Sequence, residues 1–297
     1  MEQVGKRPFC IVDVFAEEKY AGNQLAVVLN TNGLSDTEMQ RIAKEMNYSE
    51  TTFLLSGSEK DGAYDVRIFT PEKEVPFAGH PTLGTAYVIR QEILKRPVDS
   101  ILLNLKVGKI PVYFNTDSGS EVLWMKQIQP TFGKTFSVDD VAQVLNLNPD
   151  DIDKRFVIQE VSTGLPFIIV PLRTLEAVKK SRIDRDWFQD LVRDSEAKAI
   201  LVFSSQTYNP LNDINVRVFA DCYGVPEDPA TGSANGCLAG YLVKYRYFES
   251  DKINVKVEQG YEIGRRSLLY LRAQDVDGKI DINVGGKVVM IARGVLV

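Results

Sequence analysis

The sequence predicts an α+β fold of two similar halves, each with a buried helix at its centre. Three observations carry this expectation. Many short strand-like runs alternate with few helices. Two helical stretches, Pro81 to Ile89 and Ser233 to Val243, carry no charge, and a helix that is apolar all round is buried and not laid on a surface. The order of elements also repeats. Arg67-Ile68-Phe69 matches Arg217-Val218-Phe219, and each leads through a proline-containing loop to a Gly-polar step, Gly79-His80 or Gly232-Ser233. Each step is followed by a charge-free helix with small residues, as a duplicated unit requires.

The first half opens with strands over 9–15 and 25–29, joined by a turn at Ala21-Gly22-Asn23-Gln24. Ser35-Asp36-Thr37-Glu38 has capping-box spacing, and Met39, Ile42, Ala43 and Met46 then recur at helical intervals. Glu50 stands at the mouth of the run 51–55, where a carboxylate is often only a solvated end residue. Residues 64–69 read as a strand, then come the first loop and the helix from Pro81. Strands follow over 101–105, 110–114 and 122–125, with Gly108 as a turn.

The second half opens with a capped helix from Ser137 to about Leu147. Strands are expected over 156–161 and 167–172, with a turn at Gly164-Leu165-Pro166. Helices are expected over 175–180 and 184–194, and strands over 200–203 and 214–219. A loop over 221–232 leads to the helix of 233–243. Strands over 253–257, 268–271, 280–284 and 288–291 close the chain.

Composition narrows the function. A chain of 297 residues suggests about two domains. It is 44% hydrophobic and 25% charged, an ordinary globular balance. The net charge of −5, with no basic tract, argues against nucleic acid as a partner. The 3 cysteines are too scattered for a disulfide framework, and a single histidine excludes a multi-histidine metal site. No apolar stretch suits a signal core or a membrane span, so a cytoplasmic protein with no membrane partner is expected.

That one histidine, His80, sits at a strand-to-helix junction beside Gly79. Proline suits a helix start because its missing N–H has no intrahelical partner there. The free amides and the dipole of such a start attract anions. His80 is thus either a proton-handling group at an anion site or a helix cap. The second loop mirrors the first. There Asp228 caps the helix or reaches a ligand, and Ser233 caps or donates its hydroxyl to a carboxylate. Glu50, His80, Asp228 and Ser233 form the densest set of reactive groups on special backbone.

These stretches resemble the PhzF-like phenazine-biosynthesis protein family, of the diaminopimelate-epimerase-like fold. The resemblance is carried by Val12-Asp13-Val14-Phe15, Gly22-Asn23, Ser49-Glu50-Thr51, Arg67-Ile68-Phe69-Thr70-Pro71, Phe77-Ala78-Gly79-His80-Pro81-Thr82, Ser162-Thr163-Gly164-Leu165-Pro166, Glu227-Asp228-Pro229-Ala230-Thr231-Gly232-Ser233-Ala234, Gln259-Gly260 and Val284-Gly285-Gly286. They run in order over nearly the whole chain. Gln24, where the family commonly has proline, is expected to alter a turn and not the chemistry.

The resemblance implies two pseudo-symmetric halves, each a curled, barrel-like mixed sheet around a central helix. It implies an N-terminal half of 1–120 plus about 286–297, a C-terminal half of 121–285, and an active cleft between them. It implies a cofactor-independent isomerase without metal, homodimeric, in which Glu50 moves a proton between carbons of a small carboxylate-bearing, anthranilate-like substrate. His80, Asp228, Ser233, Gly79, Gly232, Thr231 and Asn23 would contact that substrate.

The residues suit such chemistry on their own terms. Moving a proton at carbon needs a base that returns it as an acid, and a carboxylate in a closed apolar cleft has its pKa raised toward neutrality. Developing negative charge needs positioned donors, which His80 and the two helix starts would supply. Three rivals remain. An epimerase or racemase using two thiols is disfavoured, since no cysteine lies in 64–86 or 223–236. A Ser-His-Asp hydrolase lacks the Gly-x-Ser-x-Gly elbow, because Thr231 occupies the first glycine position. A non-catalytic small-molecule-binding protein would share the fold without turnover.

Overall fold

The computed structural model describes residues 6–117 and 119–297. They form two compact units, 1–125 with 285–297, and 126–284.

The first unit contains strands β1 (Arg7–Val14), β2 (Asn23–Val28), β3 (Glu50–Leu54), β4 (Tyr64–Phe69), β5 (Glu74–Val75), β6 (Ser100–Leu105), β7 (Gly108–Asp117) and β8 (Ser120–Lys126). Helix α1 (Asp36–Met46) lies between β2 and β3, and α2 (Gly79–Val88) between β5 and β6. The second unit contains β9 (Thr131–Phe136), α3 (Val138–Val144), β10 (Ile158–Ser162), β11 (Pro166–Pro171), α4 (Leu175–Lys180), α5 (Arg185–Val192), β12 (Ile200–Ser204), β13 (Ile214–Ala220), β14 (Val225–Asp228), α6 (Gly232–Lys244), β15 (Lys252–Gln259), β16 (Ser267–Val276) and β17 (Lys279–Gly286). The last strand, β18 (Val288–Leu296), returns to the first unit and pairs antiparallel with β1.

The two units share one connectivity. In the first, β1–β2 is antiparallel, β2–β3 parallel, β3–β4 antiparallel, β4–β6 parallel and β6–β7 antiparallel. In the second, β10–β11, β11–β12, β12–β13, β13–β15 and β15–β16 follow the same alternation. The short strands β5 and β14 each pair antiparallel with the strand that carries the Arg-x-Phe match.

Each central helix is enclosed by its own sheet. Helix α2 touches β1, β2, β3, β6 and β7, and every one of its residues except Tyr87 is buried. Helix α6 touches β10, β11, β15 and β16 and buries eleven of its thirteen residues. The other helices cover outer faces. Helix α1 starts with the Ser35–Glu38 capping box and ends on Asn47 in the left-handed region that asparagine tolerates. It lays Met39 and Ala43 against Val28, Phe53 and Phe69. Helices α3, α4 and α5 cover a second core around Ile168, Val170, Ile200 and Val202.

Several boundaries differ from expectation. Helix α2 begins at Gly79, so Pro81 is its third residue; it still sits in the first turn, where a missing N–H leaves no bond unmade. Helix α6 begins at Gly232, one residue early, and α3 stops at Val144. Asn23 and Gln24 already belong to β2, leaving the turn to the residues before them. Gly108 opens β7, opposite Leu105, and the turn is Lys106-Val107. The loop expected over 221–232 contains β14, whose pairing with β13 is interrupted by a bulge. Strand β9 went unread because it is largely exposed and shows no apolar alternation.

Candidate active site

In the first unit β3 and α2 bring two expected residues together. Glu50 is the first residue of β3, and His80 the second of α2. Glu50 Oε2 and His80 Nε2 lie 3.5 Å apart, and the two side chains are 19% and 7% exposed. The Thr85 hydroxyl on α2 donates to the Thr52 hydroxyl on β3 at 2.8 Å, pinning the helix to the strand two residues past Glu50. Asn23 opens β2 and is buried, and Gly79 opens α2. No side chain caps this helix start; the N-cap residue is Ala78, so the capping role open to His80 is not the one it plays.

The imidazole is held neutral. Burial pushes its pKa down from 6.5 to about 3, opposed in part by a hydrogen bond with the Gln24 backbone. Nε2 makes no hydrogen bond among the described residues, so Nδ1 is the nitrogen that donates to the Gln24 carbonyl. Nε2 then presents a lone pair toward Glu50. The 3.5 Å approach is therefore not an ion pair, which would need a charged imidazole. Gln24 contributes as a β2 carbonyl and not as a turn residue, which corrects the expectation placed on it. An imidazole with a pKa near 3 is also too weak a base to take a proton from serine, as a hydrolase requires.

In the second unit β14 ends in Asp228 and α6 starts at Gly232. The Thr231 hydroxyl donates to Asp228 Oδ2. Thr231 is the N-cap residue and its side chain makes no cap bond, and Ser233 lies inside the helix as its second residue, so it is not the N-cap. Ser233 is half-buried at the second position of α6, the place that His80 holds in α2. Cys237, further along α6, is buried, and its thiol pKa is pushed up to about 12. A thiol so held stays protonated and inert as a base.

Two supports escaped the sequence reading. Arg67 grips Glu74 with two parallel bonds of 2.8 and 2.7 Å. Arg217 does the same to Glu227 at 2.9 and 2.7 Å, next to Asp228. The Arg-x-Phe repeat was visible, but its glutamate partners lie seven and ten residues on, with no shared spacing. Gln259 and Asn235 beneath the second loop were likewise missed as functional groups. Among the described residues no three His, Cys, Asp or Glu side chains are grouped to hold a metal.

A family model described as "Phenazine biosynthesis-like protein" matches residues 12–294. The chain belongs to that family. It is similar to trans-2,3-dihydro-3-hydroxyanthranilate isomerase of Pseudomonas aeruginosa, at 34% identity over 96% of this chain and 98% of the relative. Among solved structures it is similar to a phenazine biosynthesis protein of the PhzF family from Bacillus anthracis, with a TM-score of 0.91 and 28% identity, covering 99% and 100% of the two chains. A probable proline racemase from Agrobacterium radiobacter K84 shares the fold alone, with a TM-score of 0.62 and 10% identity over 97% and 92% of the chains. The protein is thus an enzyme of an isomerase family on the diaminopimelate-epimerase-like fold, with an isomerase- or epimerase-like function.

Proposed function

We propose that this enzyme moves a proton between two carbons of a small carboxylate-bearing, anthranilate-like substrate, with Glu50 as acid and base. The observation that carries the reading is the pairing of half-buried Glu50 with buried His80. Its imidazole is neutral and turns a lone pair toward the carboxyl group at 3.5 Å. Burial keeps a proton off His80, so the imidazole does not compete with the carboxyl group for it. Glu50 is therefore the group that carries the proton, gives it to carbon and takes one back. An isomerisation of this kind changes no overall composition. Its barrier falls because the carboxyl group is positioned and because charge developing on the substrate meets prepared donors.

The substrate class rests on two supports. The helix starts at Gly79 and Gly232 offer free amides and positive dipole ends to an anion. The P. aeruginosa relative is named for a dihydro-hydroxyanthranilate. His80, Asp228, Ser233, Gly79, Gly232, Thr231 and Asn23 are the proposed substrate contacts. The reading also takes the enzyme as cytoplasmic and homodimeric. Its three cysteines are free, as in a reducing compartment, and no helix among the described residues is long and apolar enough to cross a membrane.

The test is turnover of trans-2,3-dihydro-3-hydroxyanthranilate by the wild type and by Glu50→Gln, which keeps the shape and removes the titrating group. The expected loss in kcat is about 10²- to 10⁴-fold. Equal rates would remove Glu50 from the chemistry. No turnover by the wild type would remove that ring as the substrate.

A further inference from the structure

Beneath the second loop lies a hydrogen-bond chain with no counterpart beneath the first. Gln259 at the end of β15 and Asn235 in the first turn of α6 are both fully buried. Gln259 Oε1 accepts from the Thr231 backbone N–H at 3.1 Å and from Asn235 Nδ2 at 2.9 Å. Gln259 Nε2 donates to the Asp228 carbonyl at 2.8 Å and to Thr231 Oγ1 at 3.0 Å.

The direction of each bond follows from the groups themselves. A backbone N–H only donates and a backbone carbonyl only accepts, so the Gln259 amide has a single orientation. Its Nε2 can only donate to Thr231 Oγ1. The one proton of that hydroxyl is then left for Asp228 Oδ2, which accepts it. The chain is polarised from end to end and terminates on a carboxylate. Accepted hydrogen bonds of this kind favour the ionised form.

The backbone beneath is shaped to hold this chain. Gly260 has φ +77, and a Cβ there would lie 2.6 Å from the Pro229 carbonyl oxygen and 2.4 Å from that of Arg265. Only glycine allows so close an approach in that conformation. The Ser267 hydroxyl donates to the Pro229 carbonyl at 2.8 Å.

The first unit builds an equivalent loop without any of these polar groups. Asn104 pairs with Asp65 as Glu258 pairs with Asn215, so buried Leu105 takes the place of Gln259. Counting back from each helical glycine, Ala78 stands where Thr231 does, and Val75 where Asp228 does. The first unit thus leads into its central helix with Leu, Ala and Val at these places. What the polar chain adds in the second unit is control of the carboxylate on which it ends.

We propose that Gln259, acting through the Thr231 hydroxyl, is a positioning residue that holds Asp228 ionised and in one rotamer. Asp228 then acts as a fixed negative contact, and the proton in transit is left to Glu50. This deepens the isomerase reading and rests on it for the role of Asp228 toward substrate. The chain itself is tested without any substrate, so the two can fail separately.

The experiment is a carbon-13 NMR titration of the full chain labelled at the aspartate carboxyl carbons. The Asp228 signal is identified by its loss in Asp228→Asn. Thr231→Val is expected to raise the Asp228 midpoint by about one pH unit, and Thr231→Ser to restore it. Gln259→Leu should raise it by less. Gln259→Leu combined with Thr231→Val should titrate nearly like Thr231→Val alone, because Gln259 reaches the Asp228 carboxylate through the hydroxyl, while its bond to the Asp228 carbonyl holds the backbone. Should valine disturb the fold, Thr231→Ala supplies the residue that the first loop already carries. An unmoved midpoint in a Thr231 variant with native near-ultraviolet circular dichroism overturns the proposal. So does a double variant whose shift is the sum of the two single shifts.

Discussion

Replacing Gly84 by alanine tests whether α2 is enclosed as tightly as its buried faces indicate. A Cβ at Gly84 would lie 2.6 Å from Leu25 Cδ2, 2.9 Å from Val14 Cγ2 and 3.2 Å from Val12 Cγ2. Ordinary carbon contacts are about 3.5–4.0 Å, so the nearest side chain must retreat by about 1 Å. Leu25, Val14 and Val12 are all fully buried, so none can yield by turning out into solvent. Overpacking of this kind costs about 1–3 kcal/mol. Alanine recovers about 1 kcal/mol through its better helix propensity. The net loss is about 0–2 kcal/mol, or up to roughly 8 °C in melting temperature. Gly240 on α6 is the control. Its Cβ would meet Pro130 at 3.0 and 3.1 Å and Ile282 at 3.2 Å, and Pro130 is only half-buried and can yield. Gly240→Ala should therefore be close to neutral. The assay is thermal and urea unfolding of both variants. Gly84→Ala combined with Leu25→Ala should show favourable coupling of about 0.5–3 kcal/mol, since the truncated leucine makes room. Stabilisation by Gly84→Ala, or a larger loss from Gly240→Ala, would refute the packing argument.

His80 gives stability a dependence on pH that no other histidine can mimic, because the chain has 1. The native imidazole stays neutral down to about 3, whereas the unfolded chain binds a proton near 6.5. The unfolded state thus gains protons first as pH falls, and stability is lost between those two values. Relative to His80→Gln, the wild type should lose up to about 1.4 kcal/mol per pH unit on acidification below 6; parallel urea midpoints for the two proteins would contradict the buried neutral imidazole. Arg217 is 3% exposed, binds Glu227 bidentately and also donates to the carbonyls of Val178, Lys179 and Ser181. Arg217→Ala should cost about 3–5 kcal/mol in urea unfolding, whereas removing the exposed Lys154 from its pair with Asp150 should cost at most about 1 kcal/mol. Similar losses from both variants would show that burial does not set the worth of these pairs.

What could be read from the chain was what leaves a local pattern. The Ser35–Glu38 box announced α1 because its two bonds are made within four residues. Absence of charge announced α2 and α6 because burial on every side leaves no polar stripe to mistake. Their starts lie ahead of the charge-free runs because Ala78 and Thr231, the N-cap residues, make no side-chain cap bond. Strand β9 is largely exposed and shows no apolar alternation, and β5 is two residues long, so neither has a readable period. The candidate residues stood out by their backbone setting, but their roles were legible only through resemblance. Glu50 and His80 stand 30 residues apart and meet because β3 and α2 pack together, which no spacing rule reports. Gln259 lay in a matched stretch, yet its role depends on the parallel pairing of β13 with β15. Ser233 had an N-cap role open to it, and only the observed helix start closed it.

The central claim is that Glu50 relocates one carbon-bound hydrogen. It is tested most directly by following trans-2,3-dihydro-3-hydroxyanthranilate through turnover in D2O, with the carbon-bound hydrogens read by NMR. The account predicts a product that differs from substrate in the position of one C–H bond. Deuterium should enter only at the carbon that gains hydrogen, and Glu50→Gln should leave the substrate's C–H bonds in place. Turnover that alters no C–H bond, or exchange at carbon by Glu50→Gln at the wild-type rate, would contradict it.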